Sequence, residues 1–106
     1  DILVMGFTFK ENCPDVRNTK VIDIVRTLQD YNVNVHIYDP WANPAIAKHE
    51  YGVELQNELP ARTFDGIVMA VAHAEFETLD ISSLINGNSV VYDVKGVLKN
   101  GFDGKL

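Results

Sequence analysis

Short apolar runs alternate with segments of helical periodicity along the whole chain, and this alternation limits the possible folds more than any other feature of the sequence. Residues 1–6, 33–38 and 89–93 each have the composition of a short strand. Ile67–Ala72 is apolar throughout, which is typical of a central parallel strand covered on both faces. The sequence therefore predicts a buried, mainly parallel sheet.

Helical segments are predicted between these strands. One apolar stripe with a period of 3.6 residues follows the first strand and comprises Val21, Ile24, Val25 and Leu28. Asn18 or Thr19 is expected to cap this helix, and Asn32 to end it in a left-handed conformation. Residues 42–51 and 79–85 are predicted to form further helices, the second of them short.

Two breaks are predicted, at Phe64-Asp-Gly66 and at Asn86-Gly-Asn88. Residues 52–55 fit either a short strand or a connection. Strand and helix alternating in this way specify right-handed crossovers with helices on both faces of the sheet. The predicted fold is a Rossmann-like three-layer α/β/α sandwich with a mainly parallel sheet. A length of 106 residues allows one domain, 1–106.

Composition excludes several classes of function. Nine Lys and Arg against fifteen Asp and Glu give a formal charge of −6, which offers no broad cationic surface to nucleic acid or an anionic membrane. The longest apolar run is far shorter than the roughly 20 residues that span a bilayer. The single cysteine, Cys13, cannot form an internal disulfide, so a reducing cytoplasm is the expected location. The chain begins inside a strand at Asp1, and we expect it to be a fragment of a longer protein.

Ligands in this architecture bind beyond the carboxyl ends of the strands. The first such segment, residues 6–19, is called the first loop. A dinucleotide site would place Gly-x-Gly-x-x-Gly there, but only Gly6 is present. Asp39, at the end of the second strand, stands where a ribose-binding acid would, and by itself it is weak support for such a site.

The first loop instead offers two cations, Lys10 and Arg17, beside the aromatic residues Phe7 and Phe9. Such a set can hold a phosphate and pack against a ring or sugar. The alternative is structural, with both phenylalanines in the core and Arg17 paired with Asp15 or Glu11. The sequence leaves both interpretations open.

Other strand ends add further candidates. His73 follows the central strand and can line a ligand crevice, cap a helix or bond a carbonyl group. Lys95 follows the last strand and can meet the same anion as Lys10. The three histidines lack the spacing of a metal site, so no metal is expected, and Cys13 has no nearby histidine to activate it as a nucleophile.

Four segments together resemble the C-terminal, UDP-binding domain of the UDP-glucose/GDP-mannose dehydrogenase family. They cover nearly the whole chain and are residues 6–17, 38–40, 70–76 and 91–96. Within that family the sequence is most similar to the bacterial branch that oxidises UDP-N-acetylhexosamines for surface polysaccharides.

The resemblance implies an enzyme with three parts: an N-terminal domain that binds NAD, a central helical region that forms a homodimer or a larger assembly, and this domain over the UDP end of the substrate. Two successive hydride transfers to NAD would convert the C6 hydroxyl of the sugar to a carboxylate. The catalytic cysteine would lie upstream, so no residue of this chain, Cys13 included, would be catalytic.

The resemblance also implies roles for individual residues. Phe9 and Lys10 match the pair that contacts the UDP-sugar. Lys95 stands where relatives often have a substrate-binding arginine. Asp15 and Arg17 match an Asp-x-Arg element that shapes the loop.

Other functions remain as alternatives. A phosphoacceptor signalling domain would need an acidic pair after the first strand, where Gly6-Phe-Thr stands instead. A dinucleotide-binding domain would have to rely on Asp39. A non-catalytic nucleotide-binding or dimerisation module of Rossmann-like fold is the main alternative to the dehydrogenase.

Overall fold

A parallel six-stranded sheet forms the centre of the protein in a computed structural model. The structure describes residues 1–10, 12–17, 19–71, 73–77, 79, 81–93 and 104–105. The sheet order is β3-β2-β1-β4-β5-β6. The strands are β1 Ile2–Met5, β2 Val35–Tyr38, β3 Leu55–Gln56, β4 Phe64–Met69, β5 Ile85–Asp93 and β6 Gly104–Lys105.

Strand β1 lies at the middle of the sheet and sets its register. Met5 pairs with Tyr38 on one side and with Met69 on the other. Since the three strands run parallel and end level with one another, the loops that follow Met5, Tyr38 and Met69 emerge at one edge. That edge is where a ligand site is expected.

Helices cover both faces of the sheet. The α-helices are α1 Val21–Asp30, α2 Pro44–Tyr51 and α3 Ala74–Glu77, and a 3-10 helix spans Ile81–Leu84. One hydrophobic core joins Val4 of β1 to α1 and α2, and the other joins Leu3 and Met5 to α3 and the 3-10 helix. Alternate residues of β1 therefore pack into the two cores on opposite faces of the sheet. Helices cover both faces, which confirms the predicted three-layer sandwich.

The predicted left-handed stop of α1 is confirmed, since Asn32, which follows the C-cap residue Tyr31, has a φ of 62°. The predicted cap is not, because α1 begins at Val21 with Lys20 at the N-cap position and no side-chain capping bond. Thr19 lies one residue further upstream, where its Oγ1 accepts the backbone N–H of Val21 at 3.1 Å. Asn18 lies outside the described residues.

Other local predictions were wrong. Phe64-Asp-Gly66 does not break the chain but begins β4. A Cβ at Gly66 would lie 2.8 Å from Ile2 Cδ1, the far end of a side chain that can move aside, so the strand accommodates this glycine without requiring it. The short helix predicted over residues 79–85 is present as a 3-10 helix that spans only Ile81–Leu84, and Ile85 already belongs to β5. Asn86-Gly-Asn88 lies within β5, at a register irregularity opposite Phe64 and Gly66.

Among the helices that the structure describes, none is long and apolar enough to cross a membrane.

Candidate functional site

The first loop presents one aromatic residue to solvent and buries the other. Phe9 is 54% exposed, whereas Phe7 is fully buried and packs edge-on against Tyr51 with ring centroids 5.7 Å apart. Lys10 is exposed next to Phe9. Of the two interpretations left open by the sequence, the core position holds for Phe7, and the exposed position that a ligand contact requires holds for Phe9. An exposed ring and an exposed cation stand side by side at the carboxyl end of β1.

Asp15 and Arg17 close the base of this loop. The backbone N–H of Phe9 donates to the carbonyl of Asp15 at 2.7 Å. The Asp15 carboxylate accepts hydrogen bonds from the backbone N–H of Arg17 at 2.9 Å and from its Nε at 3.2 Å. These bonds, the backbone one first, lower the pKa of Asp15. The structure thus brings the two residues together as a clasp.

Asp39 joins the first loop to the loop that follows β2. Its carboxylate is fully buried. One oxygen, Oδ2, accepts from the backbone N–H groups of Phe7 at 2.6 Å and Thr8 at 3.2 Å. The other, Oδ1, accepts from the backbone N–H groups of Trp41 at 2.7 Å and Ala42 at 3.0 Å.

This arrangement fixes the charge of Asp39. Burial by itself raises the pKa of the carboxyl, but hydrogen bonds from His73 and from the N–H groups of Phe7 and Trp41 outweigh it, and the pKa lies below its ordinary value of 3.8. Because backbone donors occupy both oxygens and the group is closed to solvent, Asp39 has no free acceptor for a ribose hydroxyl. The structure disfavours a dinucleotide site built on this acid.

His73 is buried beside Asp39 and does not line an open crevice. Its Nε2 lies 2.9 Å from Asp39 Oδ2, and its Nδ1 accepts the backbone N–H of Asn12 at 2.9 Å. A nitrogen that accepts an N–H carries no proton, so the ring is in the tautomer with hydrogen on Nε2. The ring of Trp41 stacks on His73 with centroids 6.0 Å apart and planes at 20°.

Asn12 is the residue of this site that sequence reasoning missed. Its φ is 56°, a left-handed conformation that asparagine tolerates better than most residues. Its N–H reaches His73, and its Oδ1 accepts the backbone N–H of Ala74 at 2.7 Å. An asparagine in a loop predicts a turn, but the partner after β4 cannot be read from the sequence.

A groove with a volume of about 730 Å³ runs between the first loop and α2. Val16 and Ile46 contribute apolar surface to it, and Asp15 and Arg17 belong to its lining. The groove therefore adjoins the loop clasp. Lys95 lies outside the described residues. Within the part of the chain that is described, no three His, Cys, Asp or Glu side chains cluster as a metal site would require.

Comparisons with known proteins agree with this geometry. Residues 3–100 match the model of the UDP-glucose/GDP-mannose dehydrogenase family, UDP binding domain. The chain is 48% identical over 100 residues to a UDP-N-acetyl-D-glucosamine 6-dehydrogenase of Pseudomonas aeruginosa, covering 92% of this chain and 24% of that protein. It is 42% identical, with the same coverage, to the enzyme of that name from Salmonella typhi. The chain thus spans about a quarter of the length of these relatives.

Solved structures show the same fold. The UDP-N-acetyl-mannosamine dehydrogenase Cap5O from Staphylococcus aureus superposes with a TM-score of 0.73 at 22% identity, over 100% of this chain and 25% of that one. A UDP-glucose dehydrogenase from Pyrobaculum islandicum gives a TM-score of 0.73 at 26% identity, over 96% of this chain and 24% of that one. With a family match that runs through both cores and all three loops of the site, the chain belongs to the UDP-glucose/GDP-mannose dehydrogenase family, as its UDP-binding domain.

Proposed function

We propose that this chain is a single domain, residues 1–106, of an NAD-dependent UDP-sugar 6-dehydrogenase, and that it binds the UDP end of the substrate through the first loop. The observation that carries the proposal is the exposed Phe9–Lys10 pair at the carboxyl end of β1. Two sets of hydrogen bonds hold the loop in place. One joins Asp15 and Arg17, and the other joins the buried Asp39 to the backbone of Phe7. A preformed loop with one ring and one cation suits a nucleoside diphosphate.

Each residue has a distinct part in this proposal. The Lys10 ammonium donates charge-assisted hydrogen bonds to a phosphate oxygen, and the Phe9 ring packs against the ring or sugar of the nucleotide. Lys95, after β5, supplies a second cation. Since the chain carries a net charge of −6, binding a diphosphate depends on a few directed cations and not on a general positive field.

The rest of the enzyme would supply the chemistry. Relatives named as 6-dehydrogenases support oxidation at C6 of a UDP-hexose or UDP-N-acetylhexosamine. NAD would bind to an N-terminal domain, where two NAD molecules in succession would each accept one hydride, and the catalytic cysteine would lie upstream of residues 1–106. A central helical region would form the homodimer. A cytoplasmic location fits a nucleotide-sugar substrate. It also fits a chain whose single cysteine, Cys13, cannot form an internal disulfide.

Binding energy explains why such an enzyme needs this domain. The diphosphate lies several bonds from C6, so contacts made to it do not touch the reacting hydroxyl. They hold the sugar in register for hydride transfer, because remote binding energy can be used to orient the reacting centre. The 106-residue chain alone is therefore expected to bind UDP and to oxidise nothing.

The test is a two-dimensional NMR titration of this chain with UDP and, separately, with NAD. We expect chemical-shift changes at Phe9, Lys10 and Lys95 with UDP and none with NAD, because Asp39 is closed to solvent. Shifts with NAD alone would reassign the chain as a cofactor domain. A flat response to both ligands would contradict UDP binding by this loop.

A further inference from the structure

Asn12 connects the first loop to the segment that follows β4. Its backbone N–H donates to His73 Nδ1 at 2.9 Å, and its side-chain Oδ1 accepts the N–H of Ala74 at 2.7 Å. Lys10 and Asn12 are separated by one residue. The position of the exposed Phe9–Lys10 pair therefore depends on where Asn12 is held.

His73 is itself rigidly held. It is fully buried, with Nε2 on Asp39, Trp41 stacked on one face and Phe76 edge-on at 5.4 Å between centroids. Thr8 connects the same ring to the loop a second time, since its Oγ1 lies 3.1 Å from Nε2 and donates to the carbonyl of Lys10 at 2.8 Å. The buried Asp39 carboxylate thus holds the neutral His73 ring in place, and that ring in turn holds the first loop.

We propose that the hydrogen-bonded chain Asp39–His73–Asn12 fixes the loop that presents Phe9 and Lys10, and that Asn12 and His73 are positioning residues for nucleotide binding. The proposal rests on the proposed function for its ligand, but the fixing of the loop stands on its own geometry. If the loop samples other conformations, the apparent dissociation constant rises in inverse proportion to the competent fraction.

Two substitutions at His73 separate its two hydrogen bonds. His73→Gln keeps a donor about where Nε2 lies and removes the acceptor for Asn12. His73→Asn keeps an acceptor about where Nδ1 lies and removes the donor to Asp39. Asn12→Gly removes the bond to Ala74 while tolerating the positive φ of 56°.

Ser89→Ala is the matched control. Ser89 Oγ accepts a hydrogen bond from the backbone N–H of Asn86 and donates one to the backbone carbonyl of Phe64. Phe64 is the first residue of β4, so this change removes two hydrogen bonds at the amino ends of the strands. Ser89→Ala therefore removes hydrogen bonds near the amino end of β4, whereas the first loop lies at the carboxyl ends of the strands.

The first measurement is amide hydrogen exchange of the unliganded chain at Phe9, whose N–H is protected by the carbonyl of Asp15 at 2.7 Å. We expect exchange about tenfold faster in His73→Gln, His73→Asn and Asn12→Gly, because each of them removes one hydrogen bond of the chain, with Ser89→Ala close to the wild type at this amide. The second measurement is UDP affinity, expected to fall about fivefold to tenfold in the same three variants and not in Ser89→Ala.

Unchanged exchange at Phe9 in both His73→Gln and Asn12→Gly would overturn the proposal, and so would an equal acceleration in Ser89→Ala. Weaker UDP binding with unchanged exchange would also overturn it, because the residues would then act on the ligand directly. If the wild-type chain does not bind UDP, the proposed function fails, and the exchange data alone decide whether the chain of hydrogen bonds fixes the loop.

Discussion

At the scale of single residues, Asp39 is a buried carboxylate that accepts four backbone hydrogen bonds and lies 2.9 Å from His73 Nε2. Replacing it with Asn turns one acceptor oxygen into an amide donor that must face backbone N–H groups. We expect Asp39→Asn to lower the free energy of unfolding by about 2 to 4 kcal/mol, measured by urea denaturation at neutral pH. A loss below the error of that measurement would contradict the network described around this carboxylate.

Asp39 should also make the free energy of unfolding depend on pH in the acid range. The pKa of Asp39 in the folded state lies below its ordinary value of 3.8. The stabilisation that the ionised carboxylate provides is therefore complete well above pH 3.8 and is lost as the pH falls through the folded-state pKa. The difference in unfolding free energy between the wild type and Asp39→Asn should therefore narrow below pH 3.8. Exposed carboxyls such as Asp15 titrate in both proteins and cancel from the comparison.

Sequence reasoning reached its limit at this scale. It identified Asp39 by its place after a strand, but not that four backbone N–H groups fill its oxygens. It could not separate Phe7 from Phe9, because both follow a strand and the burial of Phe7 depends on tertiary packing, including its contact with Tyr51. It could not find Asn12, whose partners lie 61 and 62 residues away.

At the scale of elements, the approach of β1 to β4 sets where the first loop begins. Gly6 has a φ of 93°, and a Cβ there would lie 2.6 Å from Val71 Cβ and 2.8 Å from Val71 N. Gly52, at the end of α2, has a φ of 70° with nothing within 4 Å of such a Cβ. The two glycines therefore share the backbone requirement and differ in the packing around them.

This pair gives a controlled prediction. Gly52→Ala should lower the free energy of unfolding by about 1 kcal/mol, the effect of a left-handed backbone on alanine. Gly6→Ala should lower it by about 3 kcal/mol or more, because overpacking against Val71 is added. Thermal unfolding followed by circular dichroism compares the two. Equal losses would mean that the close approach of Gly6 and Val71 relaxes freely.

Elements were predicted well where burial sets the pattern. The strand at β1 and the helix at α1 follow from apolar spacing, which packing against the sheet preserves. Phe64-Asp-Gly66 was mistaken for a break because a glycine beside an aspartate favours a turn, while the space beside Ile2 is a tertiary property. Asn86-Gly-Asn88 has turn residues for the different reason that β5 carries an irregularity there.

At the scale of the whole molecule, the parallel strand order fits the rules for crossover connections, and the chain matches about a quarter of the length of the dehydrogenases to which it is similar. The sequence also indicated which edge of the sheet carries the site, because the ends of parallel strands coincide. It did not show that the edge is divided into an exposed outer part, Phe9 and Lys10, and a buried inner part, Asp39 and His73. That division depends on side-chain burial.

Together with the proposed function, this division leads to a prediction for the dehydrogenase that would contain this domain. Lys10→Ala removes only an exposed cation, so folding should be unaffected, while under the proposal the UDP-sugar should lose a charge-assisted hydrogen bond. We expect the dissociation constant for UDP-sugar to rise about tenfold to a hundredfold and that for NAD to stay constant, measured by isothermal titration calorimetry with each ligand alone. Lys48→Ala is the control. Lys48 is also an exposed lysine, but it lies on α2, and its Nζ is 2.9 Å from Glu54 Oε1. Equal weakening of UDP-sugar and NAD in Lys10→Ala would contradict the assignment, because a residue that serves only the diphosphate of the substrate cannot act on both.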